Sequence, residues 1–283
     1  EIIYMGNFFL RSLYYFFYDL IKIVINLNKK YHYIIFIPRL LSLIIKKVLI
    51  FDKNNNVFFY QYIRNYNDIL TVYEIFSEEH YNLKKLEISK DLLKFFDKNS
   101  YNKKPLIVDC GSNIGSSSLY FSKQFKDSSI IALEPDKDNF EFCKNNIKGN
   151  NFYLFNNAIS NMEQTVGFTT NYVDSRASKI SNDNKNKIKC LTVNNILAEF
   201  NSVNYFPYLI KIDIEGYEKN LFIDNYEWLD KFKIVIIELH DWMLPTEGNS
   251  FNFLRALTDI MVKKTKRDLI LSGENLISIR IDE

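Results

Sequence analysis

The sequence predicts a Rossmann-like α/β fold: a seven-stranded, mainly parallel sheet with a terminal antiparallel hairpin, preceded by an N-terminal helical extension. Three observations predict it. From Pro105 onward, short apolar runs alternate with amphipathic helical segments, a pattern that makes parallel strands joined by right-handed crossovers. The first run, Leu106–Cys110, is nearly continuous in apolar residues, as expected of a strand covered on both faces, and it leads into a glycine-containing turn. The last two runs, Asp268–Leu271 and Leu276–Ile281, flank Ser-Gly-Glu-Asn and read as a hairpin.

The elements follow in order. Leu10, Leu13, Tyr14, Phe17, Leu20, Ile21 and Val24 recur at helical spacing, as do Leu40, Leu41, Ile44, Ile45 and Val48 after Pro38, a residue suited to a first helical turn. Residues 1–50 are set apart as a basic, aromatic, amphipathic extension, 51–104 as a strand-and-helix lead-in, and 105–283 as the Rossmann-like domain. In the lead-in, Val57–Ile63 reads as a strand, with helices over Asp68–Phe76 and Leu86–Phe96. Beyond it, strands are expected at Leu106–Cys110, Ser129–Leu133, Phe152–Phe155, Tyr208–Ile214 and Ile234–Leu239. Their helices are Ser116–Phe125, Asp136–Lys148, Thr192–Phe200, Lys219–Leu229 and Phe251–Lys264. Thr165–Thr169 and Ile188–Leu191 pair around a polar loop, Asn171–Lys187.

Charge is unevenly spread. Residues 1–50 hold seven bases against Glu1 and Asp19, a surplus of five, which leaves the remainder at −3 in a chain of net charge +2. An acidic body argues against nucleic acid as a partner, because phosphate backbones are held by basic grooves. Three cysteines, Cys110, Cys143 and Cys190, show no metal-ligand spacing and suit a reducing compartment, so a cytoplasmic location is expected. The 8–50 arm has no charge-free run near the ~20 residues of a bilayer span. Its basic, aromatic character suits packing on the body, dimerisation or peripheral membrane contact.

Four motifs carry chemistry. In Val108-Asp109-Cys110-Gly111-Ser112-Asn113-Ile114-Gly115 a strand turns into a helix; Gly111 permits the turn and a close ligand approach. Ser116–Ser118 then set N–H groups and hydroxyls at the helix start, where an anion is favoured. The spacing is Gly-x-x-x-Gly, and Asn113 stands where the second glycine of a dinucleotide fingerprint would be, which suits an amino-acid carboxylate better than a pyrophosphate. Glu134 ends the second strand, 23 residues after Gly111, a spacing expected of an acid that accepts from ribose hydroxyls. Lys211-Ile212-Asp213-Ile214-Glu215-Gly216 places three charges on one side by period-two alternation, and Glu238-Leu239-His240-Asp241 puts a histidine at the end of the fifth strand.

These four motifs, in this order, resemble the FkbM family of methyltransferases. The resemblance rests on residues 108–115, on Glu134-Pro135 with Asn139, on Ile210–Glu218 and on Ile237–His240, with a lead-in at Arg64–Asp68, Glu74–Phe76 and Tyr81; it covers roughly residues 57–240. Cys110 stands where glycine or valine is more usual. The resemblance implies a class I methyltransferase fold, S-adenosylmethionine as cofactor, and O-methyl transfer to a hydroxyl of a sugar, glycan or related small-molecule metabolite. Gly111, Asn113, Gly115 and Glu134 carry over as cofactor residues. Beside them Asp109, Ser112, Asn157 and Ala158 are expected near the cofactor. Asp213, Glu215 or His240 would take or orient the acceptor proton, and Asp174 and Arg176 of the polar loop would recognise the acceptor. Asp213, Glu215, Glu238 and His240 could converge on a divalent ion, but strand-end spacing does not establish ligand geometry, and no metal is expected. Two rival readings are a nicotinamide-dependent oxidoreductase of the same fold and a membrane-peripheral scaffold that has lost activity.

Overall fold

The computed structural model describes residues 14–24, 32–169, 179–181 and 187–281. The chain divides into two compact units, Glu1–Asn82 and Leu83–Glu283.

The first unit includes helix α1 (residues 14–24). It contains a small antiparallel sheet in the order β1 (Tyr33–Ile35), β2 (Lys47–Asp52), β3 (Val57–Tyr62). Helix α2 (Arg39–Ile45) lies between β1 and β2, and α3 (Tyr66–Phe76) follows β3. Tyr33, Val48, Ile50, Val72 and Phe76 fill the core, with the Tyr33 and Phe76 rings edge to face at 5.1 Å. Asp19 is buried and held by the Arg39 guanidinium at 2.7 Å. The Asn65 side chain caps α3 by accepting from the Asp68 N–H.

Two expectations for this unit are corrected. The helical spacing of Leu40 to Val48 stops at Ile45, because Lys46 adopts a left-handed conformation (φ 56) and Val48 becomes a buried strand residue opposite Gln61. The extension is therefore more than helical: β2 gives β3 the partner that a lone strand needs. Leu10 and Leu13 lie outside the described residues.

The second unit is built on a seven-stranded sheet. Its strands are β4 (Lys104–Cys110), β5 (Ser129–Leu133), β6 (Phe152–Phe155), β11 (Tyr205–Ile212), β12 (Ile234–Glu238), β13 (Arg267–Ser272) and β14 (Asn275–Arg280), in the order β13-β14-β12-β11-β4-β5-β6. Strands β4, β5, β6, β11 and β12 are mutually parallel, and β14 runs antiparallel to both neighbours. Strand order reverses between β4 and β11, where an open α/β sheet leaves a crevice at its carboxyl edge. A second sheet, β7-β10-β8-β9, is made by Ala158–Ile159, Lys187–Leu191, Gln164–Thr169 and Lys179–Ser181.

Around the large sheet run α4 (Ser89–Ser100), α5 (Ser116–Gln124), α6 (Lys137–Asn146), α7 (Val193–Glu199), α8 (Glu218–Leu221) and α9 (Asn249–Lys263). Val108, Ile210 and Ile237 of the central strands join Phe222, Trp228, Phe253 and Ile260 in one core in which each is buried. At roughly 1.5–3 kcal/mol for each large apolar side chain buried, this cluster is what holds the strand ends in place. Asp136 caps α6 by accepting from the Asp138 and Asn139 N–H groups, and Thr192 with Asn195 forms a capping box on α7.

Two further expectations change. Strand β11 starts at Tyr205, and its register against β4 shifts between Pro207 and Leu209; Pro207 has no N–H for the ladder, so the bulge admits it. The helix expected over Lys219–Leu229 is instead α8 plus a 3-10 turn at Glu227–Asp230. Asn225 is left-handed between them (φ 54), and its amide donates to the Asn161 carbonyl, so a side-chain bond replaces the helical ladder.

Candidate active site

The carboxyl ends of β4 and β5 make one half of the site. Gly111 takes φ 82, and a Cβ there would stand 1.8 Å from the Asp213 carbonyl oxygen, so only glycine fits. Its N–H and that of Ser112 both donate to the Leu133 carbonyl, which fastens the turn to β5. Asn113 is left-handed (φ 50), and its N–H donates to a Glu134 carboxylate oxygen at 2.8 Å. The other Glu134 oxygen accepts from the Asp136 N–H at 2.9 Å and the Asn139 amide at 3.4 Å. Burial pushes the Glu134 carboxyl up to about 7, against the lowering effect of the Asp136 and Asn113 N–H groups. Gly115 starts α5 with φ 87, and a Cβ there would press on the Cys143 sulfur at 3.1 Å.

Asp109 is fully buried, and its carboxylate faces inward. One oxygen accepts from the Ser117 and Ser118 hydroxyls, both at 2.6 Å, which ties β4 to the first turn of α5. Ser112 is also buried, with its hydroxyl 3.6 Å from the Cys143 sulfur. Asn157 donates from its amide to the Lys189 carbonyl at 3.1 Å, and Ala158 pairs with Cys190 in the second sheet. Asp174 and Arg176 lie outside the described residues.

The carboxyl ends of β11 and β12 make the other half. Asp213, Glu215 and His240 do converge there: His240 Nε2 lies 3.6 Å from Asp213 Oδ1, 3.7 Å from Glu215 Oε2 and 3.7 Å from Glu238 Oε1. Glu215 is left-handed (φ 56), and Gly216 follows at φ 90; this tight reversal turns the Glu215 carboxylate back toward the histidine. Burial and the Asp213 charge raise the Glu215 carboxyl, and the same two causes raise Glu238.

Two residues that sequence reasoning left without a role complete this half. Glu218, wholly buried at the start of α8, bonds His240 Nδ1 at 2.9 Å and so sets the ring orientation. Burial alone would lower the imidazole, but the Glu218 bond and charge, then Asp213 and Glu215, raise it to about 9. Lys211 does not face an open cleft as alternation suggested. It is buried, donates to the Gly111 carbonyl at 2.8 Å, and stands 3.3 Å from Asp109 and 3.2 Å from Asp213. Only three-dimensional packing reveals these roles, because neither residue is adjacent in sequence to the groups it fixes.

The first half fits S-adenosylmethionine. Asn113 Oδ1 and Ser116 Oγ are buried polar atoms with no hydrogen-bond partner, both at the loop where a methionine carboxylate and ammonium need polar contacts. The missing Cβ at Gly111 keeps the backbone bare, and Glu134 supplies the acid at the end of β5.

Residues 109–264 match the methyltransferase FkbM domain; the match begins after the expected lead-in and runs past His240 to the end of α9. No curated protein sequence matches significantly. Among solved structures, similarity extends to an O-methyltransferase from Bacillus cereus in complex with SAH, at 10% identity and TM-score 0.36, over 76% of this chain and 90% of that one. It extends also to an SAH-bound methyltransferase from Podospora anserina, at 12% identity and TM-score 0.37, over 76% of this chain and 88% of that one. A precorrin-6y C5,15-methyltransferase from Geobacter metallireducens is similar at 11% identity and TM-score 0.34, over 71% of this chain and 92% of that one. With the domain match spanning more than half of its 283 residues, the chain belongs to the FkbM family of S-adenosylmethionine-dependent methyltransferases.

Proposed function

We propose that this methyltransferase acts on oxygen, methylating a hydroxyl of a sugar, glycan or related small-molecule acceptor. The observation that carries the reading is the convergence of Asp213, Glu215 and the Glu218-oriented His240 beside the Gly111 turn. S-adenosylmethionine, when bound, supplies a methyl group already activated by its sulfonium. The chain's task is then to align the acceptor and receive its proton. In this reading Gly111, Ser112, Asn113 and Gly115 hold the methionine end, Glu134 the ribose, and Asn157 with Ala158 flank the adenine. Asp109 contributes by fixing the start of α5 rather than by touching the cofactor. Asp213, Glu215 or His240 takes or orients the proton of the acceptor hydroxyl, and Asp174 and Arg176 recognise the acceptor. So many carboxylates disfavour a polyphosphate chain, which speaks against a nucleic-acid acceptor.

The test is transfer of labelled methyl from S-adenosylmethionine to a panel of sugars, glycans and amines. Label in an alkali-stable ether on a hydroxylated acceptor supports the reading; label only on nitrogen overturns it.

A second reading concerns residues 8–50 as a peripheral membrane contact or a pairing surface. Exposed Tyr14, Phe17, Ile21, Val24 and Ile44, together with Lys46 and Lys47, support it. No described helix is long and apolar enough to cross a membrane. The three buried, unbridged cysteines support a cytoplasmic location. Co-sedimentation with anionic vesicles, compared between the native chain and a Leu40→Glu, Ile44→Glu double variant, tests the membrane contact. Equal pelleting of the two proteins retires it.

A further inference from the structure

We propose that Asp213, Glu238 and His240 form a divalent-cation site at the carboxyl ends of β11 and β12, with chemistry suited to Mn2+. The inference rests on the methyltransferase reading only for its role, which is to hold the acceptor oxygen beside the cofactor. The site itself rests on geometry.

One ligand atom from each of the three residues lies within 4.8 Å of the other two. Oxygen and nitrogen ligands about 2.1 Å from one ion stand roughly 3.0–3.6 Å apart. His240 Nε2 is 3.6 Å from the Asp213 oxygen and 3.7 Å from the Glu238 oxygen, so small side-chain rotations would bring both to the spacing of ligands on one ion. His240 is 2% exposed and its Nδ1 is fixed by Glu218, while Nε2 faces the Asp213, Glu215 and Glu238 carboxylates at 3.6–3.7 Å. A carboxylate behind the far nitrogen is how a metal-binding imidazole is usually oriented.

Charge supplies an independent argument. Among the described residues, Asp109, Asp213, Glu215, Glu218 and Glu238 lie at ion-pair distance from two basic side chains, Lys211 and His240. Lys211 is engaged with the Gly111 carbonyl, on the side of Asp213 toward β4. Excess negative charge at a partly buried site is relieved by a cation. Two carboxylates suit Mg2+ and Mn2+, an imidazole suits first-row transition ions, and Mn2+ meets both preferences.

The test uses full-length protein stripped with chelator and titrated with Mn2+, followed by the electron paramagnetic resonance of free ion and by calorimetry. One ion per chain is expected, with affinity lowered more than about tenfold in Asp213→Asn and His240→Ala, and about tenfold in Glu218→Gln, which alters only the orienting partner. Glu238→Gln, a near-isosteric change at a half-buried position, provides the variant least prone to misfolding; circular dichroism checks every variant. Absence of stoichiometric Mn2+ binding, or binding unchanged in the folded variants, overturns the site. SAH affinity is measured separately on the stripped protein. SAH binding without Mn2+ binding sinks this proposal and leaves the methyltransferase reading intact, whereas loss of SAH binding to the stripped native chain counts against that reading.

Discussion

The two halves of the site solve opposite problems. At the ends of β4 and β5, the Glu134 carboxylate is met by two backbone N–H groups and the Asn139 amide, and the turn is fastened to β5 through Leu133. At the ends of β11 and β12, Asp213, Glu215 and Glu238 crowd one imidazole, and no hydrogen bond joins any of them to it. The first half is preorganised by backbone geometry and the second is electrostatically loaded. A fixed cradle suits the cofactor common to the whole enzyme class, while a charged, adjustable end suits the acceptor.

The sharpest way to break that contrast is Gly111→Ala. The added Cβ meets the Asp213 carbonyl at 1.8 Å, and the backbone is left-handed, so we expect a loss of roughly 3–5 kcal/mol in stability by thermal unfolding, with SAH binding abolished in calorimetry. Because the clash joins both halves, a stable, SAH-binding variant would show that the turn is not fixed as described.

His240→Ala separates the halves. Turnover should fall about 100-fold or more while SAH affinity stays within about threefold, since the imidazole faces the charged end. Equal loss of both would merge the two halves into one. Glu134→Gln makes the converse cut: SAH affinity should drop about 10–100-fold, the scale of one charge-assisted hydrogen bond.

The smallest effect is one of pH. Burial holds the Glu134 carboxyl at about 7, above its ordinary value of 4.5. The folded chain therefore keeps this proton more tightly than the unfolded one, so Glu134 favours folding below about 4.5 and loses that contribution as pH rises through about 7. Cofactor binding runs the other way, because ribose hydroxyls donate to the ionised form. SAH affinity should weaken severalfold as pH falls below about 7, and Glu134→Gln should flatten that dependence. A native profile that is already flat would remove Glu134 from ribose recognition.

The cofactor half was the more legible in sequence because its determinants are local. A strand, a glycine turn and an acid 23 residues on are contiguous features whose backbone demands show in the residue types. The seven-stranded sheet was legible for the same reason, since alternating periods imply parallel order. Glu218 was not, because its role depends on a short helix folding it behind His240, 22 residues away. Lys211 read as a cleft residue by alternation, yet Asp109 and the Gly111 carbonyl lie on its side of the sheet and draw it inward. The helix expected from Lys219 to Leu229 failed where Asn225 found a better partner in Asn161 than in its own ladder. The small β1-β2-β3 sheet was obscured because aromatic and β-branched residues at helical spacing also satisfy a strand.

Lys211 touches both halves. Its ammonium touches the Gly111 carbonyl on one side and Asp213 on the other, so a ligand that displaces either contact alters the charge balance felt by the second. Linkage then requires reciprocity: whatever factor the cofactor applies to the affinity of a ligand at Asp213, that ligand returns to the cofactor. A single buried amine is thereby the contact through which the two ends sense each other.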